Sequence, residues 1–549
     1  MVINLRYFLD VHTKNNIDFE YVLDKIEICT PYGSDLKDSM KPFAIGEEAR
    51  LNEELSRIEV FIKLIKENRF FFVNIKNIFS HIKNIRSSIL RSNEGYTLNN
   101  VELFEVKSFI LMLRELSEEL DRFKQELPGD MKIDRIIELE KTFDPQNTNI
   151  KTFYIYDEYS EGLQLIRAQK KDLEKKLKLE KKELREKLEK ELGISIKPDG
   201  TITVSKDMSE LVKKLSSHQY LVYSSETYMS IKYSLKSTPS IDSLEKEIEI
   251  LKENEEKEEF KIRTNLSKEI ASCSEKIFKN MGAIGRLDLM MAKAYMAIKT
   301  DGVRPVIVED HIIDIVDGRH LKVEENLKTK GQLFTPVSMA LSEGVTCITG
   351  ANMGGKTVSL KLVGLLCAMA QYGLFVPCSS MKMGLHGFIY GSIGDMQSTD
   401  NGLSTFGAEI RGIEKGLKRA DDRGLILIDE LARGTNPDEG YAISKAIVNY
   451  LNTKNCITLI TTHYDNIANS DDVNHLQVVG LANVDYAKLK QELSCENECR
   501  INLVSKYMDY RLIQVTSKAK VPRDAINIAR LMGLKEEILK EAENILNII

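Results

Sequence analysis

Tryptophan is absent from the 549 residues, and so is any apolar run of about 18 residues. The first absence removes the largest stacking side chain and decides little else. The second leaves nothing long enough to span a bilayer, so no membrane association is expected. The opening stretch MVINLRYFLDVHTKNN has no basic start, apolar core and small-residue cleavage site, and a cytoplasmic location is the expectation. Close cysteine pairs are scarce too: of the residues at 29, 273, 347, 367, 378, 456, 495 and 499, only Cys495 and Cys499 stand near each other. Without a second such pair a zinc site is disfavoured, and most of the others sit in apolar segments as small hydrophobes, which suits free thiols in a reducing compartment. Low-complexity tracts and fixed-period repeats are also missing.

What is present points to several units, because 549 residues exceed one core. Over the first 130 or so residues, Leu51, Leu55, Ile58, Phe61, Ile62 and Ile65 recur at three- and four-residue intervals, the mark of a helical core or connector over 1–130. From Glu161 to Gly193 leucines hold one stripe while Lys and Glu fill the rest, as in a long exposed or coiled helix. A second charged helix runs from about Ile241 to Lys299, and the two are expected to lie antiparallel as lever arms over 131–300. Between them, ISIKPDGTITVSKD alternates around an Asp199-Gly200 turn and YLVYSSETYMSIKYS adds further strand-like residues, so a small β-containing tip is expected over about 194–240. After Asp301 short apolar strands alternate with helices, giving an α/β domain over 301–549 that closes on a helix-turn-helix hinged at Gly533. The fold class is therefore multidomain, with a helical core, long lever helices and a small β-containing tip, followed by an α/β phosphate-loop domain.

Chemistry enters at Gly350-Ala351-Asn352-Met353-Gly354-Gly355-Lys356-Thr357, which fits G-x-x-x-x-G-K-[ST]. It follows the apolar run Val345–Thr349 and opens a helical run from Val358, the context that pattern requires. Glycines let backbone N–H groups turn onto a triphosphate, Lys356 reaches the β- and γ-phosphates, and Thr357 offers a hydroxyl to Mg²⁺. A bare Gly-rich turn is the bland alternative, and the strand and helix on either side speak against it. ATP and Mg²⁺ are the expected cofactors.

Hydrolysis needs carboxylates as well, and the strand-like Leu425-Ile426-Leu427-Ile428 delivers Asp429 and Glu430 at its C-terminal edge. Asp429 reads as the Mg²⁺ partner and Glu430 as the general base for water. A structural ion pair is the competing explanation for two adjacent acids. A third strand from Cys456 to Thr461 ends in Thr462-His463-Tyr464, placing an imidazole where it senses the γ-phosphate, although a lone His is more often packed or on the surface.

These segments, TGANMGGKT, LSTFGAEI, LILIDELARGTNPDEG and TTHY, occur in the order and spacing of the MutS family of ABC-type ATPases, which the chain resembles. The likeness extends to Gly318-Arg319-His320, to Phe334-Thr335-Pro336 and to LDLMMAKAYMA at 287–297, with Leu321 standing where the family usually has proline. The resemblance implies that Phe334 stacks on adenine and that Ser404 of one subunit caps the γ-phosphate held by the other. It further implies that Arg433 to Asn436 cross the interface of a homodimer, or of a heterodimer with a related MutS-like chain, and that the C-terminal helix pair serves dimerisation. Asp395 and Gln397 lie where the family links site to lever, in a stretch that departs from its pattern.

Within the family, the Phe-x-Glu wedge domain of mismatch-repair members does not precede the helical scaffold, and GGKTVSLKLVGLLCAMAQYGLFVP with GTNPDEG is similar to the second MutS paralogue family. The layout also resembles the MutS-like reactivases of cobalamin- and pyridoxal-phosphate-dependent lysine and ornithine aminomutases. DNA, the family default, and an aminomutase are thus both expected loads. Charge does not choose: residues 161–240 carry an excess of about five Lys and Arg, which serves phosphate contacts or a solvated face equally. Tyr220, Tyr223, Tyr228 and Tyr233 beside Lys232 and Lys236 fit base stacking or the core of a β-unit.

Overall fold

A computed structural model describes residues 7–123, 125–144, 152–350, 355–394, 405–432, 435–468, 473–481, 508–515 and 524–548. Packing divides the chain into two compact units, one drawn from Met1–His81, Phe123–Lys132 and Gly282–Ile549, the other from Ile82–Arg122 and Ile133–Met281. No helix among the described residues is long and apolar enough to cross a membrane.

The second unit is organised by two long helices, Glu161–Leu192 and Pro239–Ser272. Side-chain caps start both: Ser160 accepts the Leu163 N–H, Thr238 accepts the Ile241 N–H, and Pro239 needs no partner at the first position. The first helix stops at Gly193, whose φ of 69° favours a residue without a Cβ. Arg167 pairs with Glu255 and Glu259, Lys170 with Glu255, and Lys181 with Glu245. Rising numbers on one helix meet falling numbers on the other, so the pair is antiparallel. At 32 and 34 residues, each extends roughly 50 Å at about 1.5 Å per residue.

Between these helices the chain forms β1 (Thr201–Ser205), β2 (Leu221–Glu226) and β3 (Ser230–Leu235), antiparallel in the order β1-β3-β2. Leu188 and Leu192 at the helix end pack with Ile202, Val204, Leu215, Leu221 and Tyr233 into a local core. Tyr233 is therefore a core residue, whereas Tyr228 is 95% exposed.

Ten strands belong to the first unit: β4 (Val306–Val308), β5 (Ile312–Gly318), β6 (Val337–Ser342), β7 (Gly344–Thr349), β8 (Ser380–Gly384), β9 (Ile389–Ser392), β10 (Leu425–Ile428), β11 (Ile457–Thr461), β12 (Asn474–Gly480) and β13 (Asp509–Gln514). One sheet has the order β4-β8-β5-β6 and the other β13-β12-β7-β11-β10-β9. In the larger sheet β9, β10, β11, β7 and β12 are parallel neighbours, and β13 closes the far edge antiparallel. Every residue of β7, β9, β10 and β11 is buried, as befits a parallel sheet covered on both faces. The helix Lys356–Gln371 lies so close that a Cβ on Gly364 would sit 2.6 Å from Leu427 Cδ1 and 2.9 Å from Ile17 Cγ2.

The β9 edge does not stand bare. Ile389 N–H donates to Phe8 O at 2.8 Å, Leu9 forms a parallel bridge to Ile389, and Gly391 N–H donates to Thr13 Oγ1 at 3.0 Å. Residues near the start of the chain thus cover the edge of a sheet whose strands come from its second half.

Candidate nucleotide site

The order β7-β11-β10 brings three strand ends side by side. β7 leads into Gly350, at φ 129°, where a Cβ would press on Val478 at 3.1 Å. Gly355, at φ 80°, then caps the helix that begins at Lys356. Both positions favour glycine for their backbone conformation. The helix N-terminus carries Lys356, Thr357 and Val358, and its partial positive charge faces the strand ends.

Lys356 is buried, and its Nζ donates to Gly350 O at 2.7 Å and stands 3.4 Å from His463 Nδ1. An ammonium has no lone pair, so Nδ1 accepts and the proton of the neutral imidazole lies on Nε2. That nitrogen is 3.1 Å from Glu430 Oε1, and a proton there donates to the carboxylate. Thr357 Oγ1 donates to Asp429 at 2.9 Å and 3.2 Å. Phosphate-loop lysine, strand-end imidazole and the two acids therefore form one connected group.

Sequence reasoning did not single out four other residues. Thr461 Oγ1 donates to Asp429 Oδ1 at 2.6 Å while accepting the Glu430 N–H at 2.8 Å. Glu409 accepts the Ala432 N–H at 2.5 Å. Burial pushes the Glu409 carboxyl above its ordinary pKa, the Glu430 charge adds to this, and the Ala432 N–H opposes it. His475 Nε2 lies 2.8 Å from Thr349 Oγ1 at the last residue before the loop. The available signal was position alone: Thr349 and Thr461 are hydroxyl residues closing apolar strands.

Two further expected residues lie in the described segments. Phe334 is half-buried just ahead of β6, and among the described residues no hydrogen bond or ring contact joins it to the group. Asn436 caps the helix Pro437–Leu451 by accepting the Asp438 N–H at 3.0 Å. Ala351, Asn352, Met353, Gly354, Asp395, Gln397, Ser404, Arg433, Gly434, Cys495 and Cys499 lie outside the described residues. Cys347 in β7 is buried, and loss of solvation pushes its thiol up to about 12, a small hydrophobe in practice.

Comparison with known proteins agrees with this geometry. Residues 346–549 match the family described as MutS domain V. The chain is 27% identical over 518 residues to Endonuclease MutS2 of Caldanaerobacter subterraneus subsp. tengcongensis, covering 90% of this chain and 60% of that protein. Endonuclease MutS2 of Lachnospira eligens is 30% identical over 477 residues, covering 85% and 56%, and that of Fusobacterium nucleatum is 28% identical over 480 residues, covering 84% and 58%. The chain thus spans less than two thirds of the length of these curated relatives. With the strand-end acids and imidazole set beside Gly350 and the helix that begins at Lys356, residues 346–549 match MutS domain V, and this half of the chain resembles the ATPases of the MutS family.

Proposed function

We propose that the chain hydrolyses ATP as half of a composite dimeric site and uses that cycle to move its long helix pair around a macromolecular load. The observation that carries this reading is the contact of Thr357 with Asp429, 2.9 Å apart at the mouth of the phosphate loop, with Glu430 next in sequence. A hydroxyl and a carboxylate are hard oxygen donors, the set that Mg²⁺ accepts, so the residues fit that ion. Mg²⁺ bound there would neutralise charge on the transferred phosphoryl group.

The chain's own groups have distinct tasks in this reading. Gly350 to Val358 cradle the phosphates with backbone N–H groups, and the Lys356 ammonium exchanges its Gly350 carbonyl partner for phosphate oxygens. Glu430 polarises the attacking water, and the His463 Nε2 proton holds the Glu430 carboxylate in place. Ser404 of a second copy caps the γ-phosphate and Phe334 stacks on adenine, as the family resemblance implies. The antiparallel helices Glu161–Leu192 and Pro239–Ser272 serve as the lever, and the three-stranded unit between them as its tip.

DNA is the proposed load, since the relatives are named as MutS2 endonucleases; the aminomutase alternative draws no support from them. Substitution Glu430→Gln provides the test. Expected are ATP binding at wild-type affinity, hydrolysis reduced by about a hundredfold or more, and an ATP-dependent dimer by light scattering. A trapped form that stays monomeric overturns the composite site. For the load, ATPase stimulation by duplex or branched DNA that weakens steeply with salt supports nucleic acid, and indifference to DNA overturns it.

A further inference from the structure

The strand between β7, which leads to the phosphate loop, and β10, which delivers the two acids, is β11, and its last residue is buried Thr461. Ile460 pairs with Ile428 on β10, and Thr461 pairs with Ile348 on β7. Thr461 is therefore level with Asp429 on one side and with the strand end that leads to the phosphate loop on the other. We propose that Thr461 is the positioning residue that orients both acids of the ATPase site, Asp429 through its carboxylate and Glu430 through its backbone.

The direction of each bond follows from what the partners allow. A backbone N–H only donates, so the Glu430 N–H uses a lone pair of the Thr461 hydroxyl at 2.8 Å. The single hydroxyl proton then goes to Asp429 Oδ1 at 2.6 Å, a short bond strengthened by the carboxylate charge. The Thr461 carbonyl adds a longer contact, accepting the Leu431 N–H at 3.4 Å. One residue thereby holds three consecutive positions.

That grip matters because the backbone at the acids is unusual. Glu430 has φ 50° and Ala432 φ 61°, the left-handed region that crowds a residue with a Cβ. Such a turn persists only where its surroundings over-determine it. Here it aims the two neighbouring carboxylates apart, Asp429 toward Thr357 and Glu430 toward His463. Without the Thr461 hydroxyl, the Glu430 N–H loses its acceptor and the Asp429 carboxylate loses its shortest donor.

Valine keeps the shape of threonine and removes both bonds, while serine keeps both bonds and removes a methyl group. This inference rests on the ATPase reading, and the two fail separately. A wild-type chain without ATP turnover sinks that reading, whereas an active wild type with an unaffected Thr461→Val sinks only this one. Expected for Thr461→Val is a kcat reduced about tenfold or more, with the Mg²⁺ concentration for half-maximal activity raised several-fold. Binding of a fluorescent ATP analogue in EDTA should stay within about twofold, since phosphate-loop contacts are untouched. Thr461→Ser should restore both quantities to within about threefold of wild type. A purely structural role lowers thermal stability without moving the Mg²⁺ midpoint. Thr461→Ala, which adds no bulk, repeats the measurement should Thr461→Val fail to fold. An unshifted midpoint in either folded variant, or a Thr461→Ser variant as impaired as Thr461→Val, overturns the inference.

Discussion

Glu409 accepts the Ala432 backbone N–H at 2.5 Å, tying the helix Thr405–Leu417 to the turn that follows the two acids. Ala432 is buried and lies at φ 61°, so its N–H has no easy substitute partner. Truncation Glu409→Ala should cost about 1–3 kcal/mol, the penalty of a buried donor left unpaired. Glu409→Gln keeps an acceptor oxygen and should cost less than half as much. Urea unfolding of the two variants checks this, and equal losses would count against the bond.

The tautomer imposed by Lys356 makes a sharper statement about His463. A glutamine amide N–H reaches where Nε2–H stands, whereas alanine offers nothing to Glu430. His463→Ala should lower kcat about ten- to a hundredfold, with His463→Gln recovering a substantial part of the loss. Steady-state ATPase assays decide it; a glutamine variant no better than alanine shows that the Nε2 proton is not what Glu430 needs.

His320 gives a pH dependence. It is fully buried, among the described residues neither ring nitrogen has a hydrogen-bond partner, and loss of solvation pushes its pKa down to about 4. Asp18, with Oδ2 at 3.7 Å, pulls the other way, while Lys361 and Lys322 reinforce the fall. In the unfolded chain the imidazole returns to about 6.5, so below that pH the unfolded state takes up a proton that the folded state refuses. Stability is therefore lost as pH falls from about 6.5 toward 4, by up to about 3 kcal/mol. Denaturant melts at about pH 7 and about pH 5 should show this slope, and His320→Leu should flatten it.

Gly364 sits where the phosphate-loop helix touches β10, with Leu427 and Ile17 inside the space a methyl group would fill. Gly364→Ala should destabilise by about 1–3 kcal/mol despite the better helix propensity of alanine, because the core must shift to admit it. A stabilised variant in the same melts would contradict so close an approach.

Much of the site was legible because strand ends and phosphate loops are local in sequence. An apolar run followed by Asp429 and Glu430, or by Thr462 and His463, already states which atoms reach the sheet edge. The geometry that joins them was not legible. Nothing in the chain order says that β11 lies between β7 and β10, and so nothing marks Thr461 as the residue between loop and acids. The tyrosines of the three-stranded unit failed to choose for a different reason. Alternation gives two faces, and only packing against Leu188 and Leu192 shows that Tyr233 takes the inner one.

The pairing of Phe8, Leu9 and Thr13 with β9 has a consequence in time rather than in space. Thr13 and Gly391 are 378 positions apart, so a nascent chain makes one partner long before the other exists. The larger sheet is consequently a structure of high contact order, in which the segment Phe8 to Thr13 waits on translation to deliver the strand it pairs with. Until β9 is made, the backbone around Leu9 lacks its strand partner, and the pairing of the two closes that edge of the sheet.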